Sequence, residues 1–125
     1  MSEANPNRMV WAEFPAINVK RATGFYEELL QSKLVEDNNG PQPIYMLFGN
    51  GEEAPFAHMY EGKPATAGDG VTPHLDLKCE HPEAMERVKK GGGEVVSDVI
   101  TIPAGSFFYA KDTEGNSLSI FKYNG

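Results

Sequence analysis

Cysteine, basic residues and long apolar runs are all scarce in this chain of 125 residues. A single cysteine excludes an internal disulfide, and we expect a reducing, cytoplasmic location. Eleven lysines and arginines against eighteen aspartates and glutamates give a net charge of −7, which disfavours nucleic acid or an anionic membrane as a partner. No apolar run approaches the roughly 18 residues of a membrane span, and no charged-then-apolar targeting signal opens the sequence.

Apolar residues are nevertheless plentiful enough to build one packed core. They make up 40% of the chain and include seven phenylalanines, five tyrosines and one tryptophan. The length suits one domain, because two independent cores of half this size would fold poorly. We therefore predict a polar flexible tail at residues 1–8 and a single domain at 9–125. The lone thiol, Cys79, falls in a predicted strand, where a core position is more common than a nucleophile.

The first half shows the spacing of a strand, a helix and three more strands. Residues 10–19 alternate between two faces, with Trp11, Glu13 and Pro15 on one of them. Asn18 is suited to cap the helix that follows, whose apolar residues recur at three- and four-residue spacing. The predicted elements are a strand at 10–19, a helix at 20–31, a strand at 34–37 and a hairpin of strands at 44–48 and 55–60.

The second half repeats this order after a linker rich in glycine, proline and alanine at 61–70. Glycines at 91–93 are expected to end its helix, and Gly115 to supply the positive φ of the turn in "DTEGN". The predicted elements are a strand at 71–79, a helix at 82–91, a strand at 94–101 and a hairpin within 106–123. When the first half is aligned with the second at a shift of about 63 residues, Trp11 corresponds to His74 and Glu13 to Asp76.

The repeat predicts an α+β fold made of two βαβββ modules, residues 9–60 and 71–125. Neither module has enough elements to close its sheet around a core alone. Together they are expected to form a curved eight-stranded sheet around one cavity, flanked by Trp11 and His74.

Three short motifs in this order resemble one known family. "RATGFYEELL" in the first helix, "VKKGGGEVV" after the second and "DTEGNSLSIF" at the end are similar to the vicinal oxygen chelate superfamily. That superfamily contains glyoxalases, bleomycin resistance proteins and extradiol dioxygenases, and the resemblance extends from Met9 to Tyr123. It is closest to the small single-domain members.

The resemblance also implies where a metal would be held. The four ligand positions of metal-dependent members fall on Trp11, His58, His74 and Ser119. An indole has no lone pair for a metal, and a serine hydroxyl is a poor neutral ligand. We therefore expect no metal cofactor. The alternative is a divalent ion (Zn, Fe, Mn or Ni) held by His58 and His74 with a carboxylate.

Glu13 and Asp76 are the candidate catalytic residues, because they occupy equivalent positions in the two modules. If both faced the cavity, burial and mutual repulsion would raise a carboxyl pKa and prepare a general base. The alternative is that they point to water, or pair with lysine or arginine across a dimer contact.

Three functions remain open at this point. The first is a protein that binds, or transforms without metal, a small neutral or cationic organic molecule, with Trp11 as the stacking surface. The second is a metal-dependent lyase, isomerase or dioxygenase, and the third is an interaction domain. The resemblance implies a homodimer with pockets between subunits. The predicted ligand-binding residues are Trp11, His58, Tyr60, His74, Tyr109, Ser119 and Phe121, although Tyr109 is equally compatible with a place in the core.

Overall fold

The computed structural model describes residues 9, 11–50, 54–65 and 69–124. The predicted flexible tail at 1–8 lies outside the described residues, as do Gly51 of the predicted hairpin turn and part of the predicted linker. Neither helix among the described residues is long and apolar enough to cross a membrane. The elements are β1 Ala12–Ala16, α1 Val19–Leu30, β2 Val35–Asp37, β3 Ile44–Phe48, β4 Pro55–Glu61, β5 His74–Leu75, α2 His81–Lys90, β6 Glu94–Val95, β7 Ile100–Ile102, β8 Gly105–Lys111 and β9 Ser117–Tyr123.

Both predicted helices are confirmed to within one residue at each end. Asn18 caps α1, since its side-chain oxygen accepts a hydrogen bond from the backbone N–H of Arg21 at 3.0 Å. Helix α1 stops where Gln31 turns into the left-handed region at φ 52°. Helix α2 carries Pro82 in its first turn and ends at the glycines, with Gly92 at φ 96°.

The strands form two sheets, one from each predicted βαβββ module. In the first sheet the order is β1-β4-β3-β2, with β1 parallel to β4. In the second it is β5-β9-β8-β6, with β5 parallel to β9 and β7 paired to β8. The α+β class and the two βαβββ modules are confirmed. Among the described residues no strand ladder joins the two sheets, so β1 and β5 are both edge strands.

Two predicted strands in the second module differ from the structure for local reasons. The strand expected at 94–101 is split into β6 and β7. The Ser97 hydroxyl, instead of a backbone carbonyl of a continuous strand, accepts the hydrogen bond from the backbone N–H of Tyr109 at 3.0 Å. The strand expected at 71–79 is reduced to β5. There the Asp76 side chain accepts the backbone N–H of Lys78 at 2.9 Å, and Lys78 adopts φ 56°, which ends the extended chain.

One continuous core lies under both sheets. Both helices contribute to it, and so does every second residue of the central strands. Its largest fully buried members are Phe25, Tyr26, Leu29, Leu47, Met59, Val88, Phe108, Leu118 and Ile120. Phe14 and Leu75 also belong to this core, so the alternation in β1 and β5 turns Trp11, Glu13 and His74 to the opposite faces. Below, the face of each sheet directed away from this core is called its open face.

The "DTEGN" turn between β8 and β9 connects the second module to α1 through a buried polar cluster. Tyr26 donates its hydroxyl to Asp112 Oδ2 at 2.5 Å, and Asp112 Oδ1 accepts the backbone N–H groups of Glu114 and Asn116. Asn116 in turn donates to the Pro15 carbonyl at 2.9 Å. Burial, together with the neighbouring negative charge of Asp112, raises the pKa of Tyr26 well above 10. The phenol therefore remains a proton donor in the folded protein.

An ion pair at the same junction binds the start of α1 to the turn. Glu114 accepts from Arg21 Nε at 2.8 Å and from Nη2 at 3.1 Å, and its side chain has no solvent exposure. Burial alone would raise the pKa of Glu114. Hydrogen bonds from Arg21, the Asn18 backbone and the Thr113 hydroxyl outweigh that effect and lower this pKa to about 2.

We predict that Glu114→Gln removes a defined part of the acid sensitivity of the fold. The carboxyl titrates near 4.5 when unfolded and at about 2 when folded, so its contribution is complete above pH 4.5 and is lost as the pH falls toward 2. At neutral pH the variant should lose on the order of 1 kcal/mol in the free energy of unfolding. Urea melts at a series of pH values should show the free energies of unfolding of the wild type and the variant becoming equal as the pH approaches 2. Glu86→Gln, on the exposed side of α2, is the matched control and should leave the profile unchanged. A difference in the free energy of unfolding between the wild type and Glu114→Gln that stays constant from pH 7 to pH 2 would contradict this role for Glu114.

Candidate ligand-binding site

The open face of the first sheet carries four of the predicted site residues. In the parallel pairing of β1 with β4, Glu13 lies opposite His58 and Pro15 opposite Tyr60. The rings of His58 and Tyr60 are 6.1 Å apart. Trp11, one residue before β1, lies on the same face and reaches His58. The predicted alternation thus brings Trp11, Glu13, His58 and Tyr60 together.

Trp11 and His58 form a direct hydrogen bond. The indole Nε1–H donates to His58 Nδ1 at 2.9 Å, and the ring centroids are 5.9 Å apart. His58 is largely covered, with 14% of its side chain exposed, whereas 61% of the Glu13 side chain is exposed. The Glu13 carboxylate lies 4.0 Å from His58 Nε2, which is too long for a hydrogen bond.

The open face of the second sheet carries a cluster of aromatic rings. His74 and Tyr109 both lie opposite Ser119 in the register, and Phe107 lies opposite Phe121. Phe107 is central: its ring centroid is 5.4 Å from that of His74, 5.4 Å from that of Tyr109 and 5.9 Å from that of Phe121, which stacks on it. We call His74, Phe107, Tyr109 and Phe121 the aromatic platform.

This platform is only partly covered by the rest of the chain. Tyr109 is 36% exposed, and Tyr123, whose ring contacts Phe121 at 4.8 Å, is 67% exposed. Ser119 lies fully buried between the rings, and its hydroxyl has no hydrogen-bond partner within the described part of the chain. Large aromatic groups left in contact with water on one side are typical of a surface that receives a ligand or a partner.

The two halves of the predicted site line different cavities in the single chain. Trp11 and Glu13 line a cavity of about 320 Å³ with Pro73 of the second module. His74 and Asp76 line another, of about 350 Å³, between the modules. The described lining of neither cavity includes both Trp11 and His74. One chain alone therefore does not bring these residues into the single cavity that we expected.

Glu13 and Asp76 are likewise separate, so they do not repel one another as expected for a shared pocket. Asp76 pairs instead with Lys78, whose ammonium lies 3.0 Å from its carboxylate. Burial alone would raise the pKa of Asp76, but the hydrogen bonds and charge of Lys78 outweigh it and lower this pKa below 3.8. The pKa of Asp76 is therefore shifted downward, whereas a general base in a shared acidic pocket would have a raised pKa.

The donor set does not fit the metal that the family resemblance implies. Of the four positions, Trp11 offers no lone pair and Ser119 is a buried hydroxyl. The lone pair of His58 Nδ1 is occupied by the indole N–H. Among the described residues, no three histidine, cysteine, aspartate or glutamate side chains come together as a metal-binding group.

The sequence alone leaves the place of Phe107 open between the core and the ligand site, and it misses one contact. Phe107 was not among the predicted ligand-binding residues, although its alternation with Tyr109 places both on one face. The Trp11–His58 hydrogen bond depends on the register between β1 and β4, which are separated by a helix and two strands, and the composition of either strand does not specify it.

Comparison with known proteins identifies the family. The family model "Glyoxalase/Bleomycin resistance protein/Dioxygenase superfamily" matches residues 8–120. The chain belongs to this superfamily. No curated protein matches it.

Solved structures with the same fold are distant in sequence. A hypothetical protein, SA1046 from S. aureus, superposes with a TM-score of 0.68 at 15% identity, over 94% of this chain and 98% of that one. A glyoxalase/bleomycin resistance protein from Albidiferax ferrireducens T118 gives 0.69 at 16%, over 92% and 98%. The fosfomycin resistance protein FosX from Listeria monocytogenes, complexed with Mn(II) and a sulfate ion, gives 0.68 at 12%, over 90% and 87%. At such identities the likeness shows the fold alone.

We predict that this chain holds no tightly bound metal, because its four positions offer only two histidines and one of these is engaged by Trp11. Protein purified without chelator and dialysed should contain clearly less than one equivalent of any divalent metal by elemental analysis. His58→Ala is the control for adventitious binding and should give the same content. One equivalent of metal that survives dialysis and disappears in His58→Ala would contradict the prediction.

Proposed function

We propose that the protein binds a small organic molecule on the aromatic platform. The observation that carries this proposal is the contact between the four rings on an open face that the chain leaves partly uncovered. Flat aromatic surfaces contribute both apolar area and favourable ring contacts, each pair adding about 0.5–1.5 kcal/mol beyond area burial. The platform suits a ligand with a ring or another flat apolar part.

Charge favours a neutral or cationic ligand over an anionic one. The chain carries a net charge of −7, and the Glu13 carboxylate on the open face of the first sheet is mostly exposed. A phosphate or dicarboxylate would meet an unfavourable potential on approach. Glu13 remains the better placed of the two candidate bases, because Asp76 is already paired with Lys78.

We infer that a second copy of the chain completes the cavity. Strands β1 and β5 are sheet edges without a neighbour on one side among the described residues, and the platform on the second sheet is partly exposed. Val71, just before β5, is 83% exposed. Open edges beside exposed apolar groups favour association. The open face of the first sheet of one copy would then cover the platform of the other, which brings Trp11 and His58 opposite His74.

Family membership also accommodates a metal-dependent lyase, isomerase or dioxygenase that uses His58 and His74 with a carboxylate. The Mn(II) of FosX supports this second candidate, and the donor set of this chain disfavours it. The composition-based expectations of a cytoplasmic location and of no nucleic-acid or membrane partner stay predictions.

The ligand site is tested with a pair of substitutions at Tyr109. A panel of metabolites and antibiotics is screened by the fluorescence of Trp11, the only tryptophan. For a ligand that binds, Tyr109→Ala should weaken the affinity about five- to tenfold through lost ring contact. Tyr109→Phe keeps the ring and should bind nearly as well as the wild type. Since Tyr109 is 36% exposed, neither change should unfold the protein. Equal affinities for all three proteins would place the ligand elsewhere.

The assembly is tested by sedimentation. We expect a homodimer at micromolar concentration, because the uncovered platform and sheet edges lose contact with water when two copies associate. A species of 13.7 kDa over the whole micromolar range, the mass of one chain, would reject the second copy. Tyr123→Glu, which places a charge beside the platform, should shift the equilibrium toward the monomer, whereas Lys33→Ala on the far exposed surface should not.

A further inference from the structure

The hydrogen bond between Trp11 and His58 determines which nitrogen of the imidazole carries its proton. A neutral imidazole has one N–H donor and one acceptor nitrogen. The indole is only a donor, so His58 Nδ1, 2.9 Å from Trp11 Nε1, must be the acceptor. The proton of neutral His58 is therefore on Nε2.

In this tautomer the Nε2–H group of His58 is a hydrogen-bond donor, and it lies beside an acceptor, the carboxylate of Glu13. Among the described residues, His58 Nε2 makes no hydrogen bond, and the nearest carboxylate oxygen, Glu13 Oε2, is 4.0 Å away. The N–H of Nε2 and the carboxylate of Glu13 thus lie side by side with unused hydrogen-bonding capacity. His58 is held with 14% of its side chain exposed, while Glu13 is free to adjust.

We propose that Trp11 is a positioning residue that fixes His58 as an Nε2–H donor, and that His58 and Glu13 together recognise a neutral carboxamide or lactam edge. The ligand carbonyl accepts from His58 Nε2, and the adjacent ligand N–H donates to Glu13. The proposal rests on the small-molecule binding and on the second copy proposed above, since only the open face of another copy brings His58 and Glu13 to a ligand on the platform. It names the polar half of that ligand. A carboxylate in the same place is rejected, because it offers no N–H to Glu13 and adds a like charge.

This role differs from the stacking role that the sequence suggested for Trp11. A stacking surface needs only an aromatic ring, whereas a positioning residue needs the indole N–H. Trp11→Phe separates the two, since it keeps a ring and removes the donor. Thermal unfolding of Trp11→Phe close to that of the wild type establishes that the variant is folded.

The tautomer is measured by long-range ¹H–¹⁵N correlation spectra of the ligand-free protein labelled with ¹⁵N at histidine and tryptophan, at a pH where His58 is neutral. The wild type should show His58 with its proton on Nε2, and a through-hydrogen-bond coupling should link Trp11 Nε1 to His58 Nδ1. Trp11→Phe should give a mixture of tautomers. A proton on Nδ1 in the wild type, or an unchanged tautomer in Trp11→Phe, would overturn the positioning role. If Trp11→Phe does not fold, the wild type alone tests the positioning role: the coupling between Trp11 Nε1 and His58 Nδ1 supports it, and the absence of that coupling overturns it.

The ligand class is tested with benzamide and benzoate, which share a ring and differ in the polar group. The wild type should bind benzamide at least tenfold more tightly than benzoate, with shifts at His58. Glu13→Gln should narrow that preference, because it removes the repelling charge, and Lys33→Ala should leave it unchanged. Equal binding of the two probes, or no binding of benzamide at millimolar concentration, would overturn the carboxamide assignment. The Tyr109 substitutions test the platform with any ligand of the panel, so the two failures can be told apart.

Discussion

The buried hydrogen bond from Tyr26 to Asp112 fixes the second module against the first, and the arrangement of both open faces depends on it. Asp112 is 4% exposed, and the donors to its side chain among the described residues come from α1 and from its own turn. Removing the Tyr26 hydroxyl would leave a buried carboxylate without one of its donors, which costs more than the bond itself contributes. The two modules therefore share one core beneath both sheets, and their open faces point away from it.

The open faces carry the positions at which the family resemblance places metal ligands. Where the resemblance places metal ligands, Trp11 is bonded to His58 and Ser119 is buried among aromatic rings. Neither side chain is a good metal donor. In the proposed function, the N–H of His58 on the first sheet and the ring cluster on the second would bind an organic molecule by hydrogen bonds and ring contacts.

The helices, the hairpins and the two-module order could be predicted because they depend on local signals. Asn18 at the helix cap and Gly115 at φ 90° act within a few residues, and alternation placed Trp11 and Glu13 on one face correctly. Strand β5 is short and the chain leaves the ladder after β6 because the side chains of Asp76 and Ser97 accept backbone N–H groups. The alternation of apolar and polar residues does not predict such side-chain hydrogen bonds. The separate cavities depend on how whole modules pack, and no short-range pattern reports that.

In the proposed dimer, the open face of the first sheet in one copy covers the aromatic platform of the other. Isotope-filtered NOE spectra of a mixture of labelled and unlabelled protein test it directly, because only contacts between copies give signals. We expect contacts from the indole of Trp11 and the ring of His58 to the rings of Phe107, Tyr109 and Phe121. A dimer whose filtered contacts come only from the helices or from other faces, with none at the platform, would contradict the account.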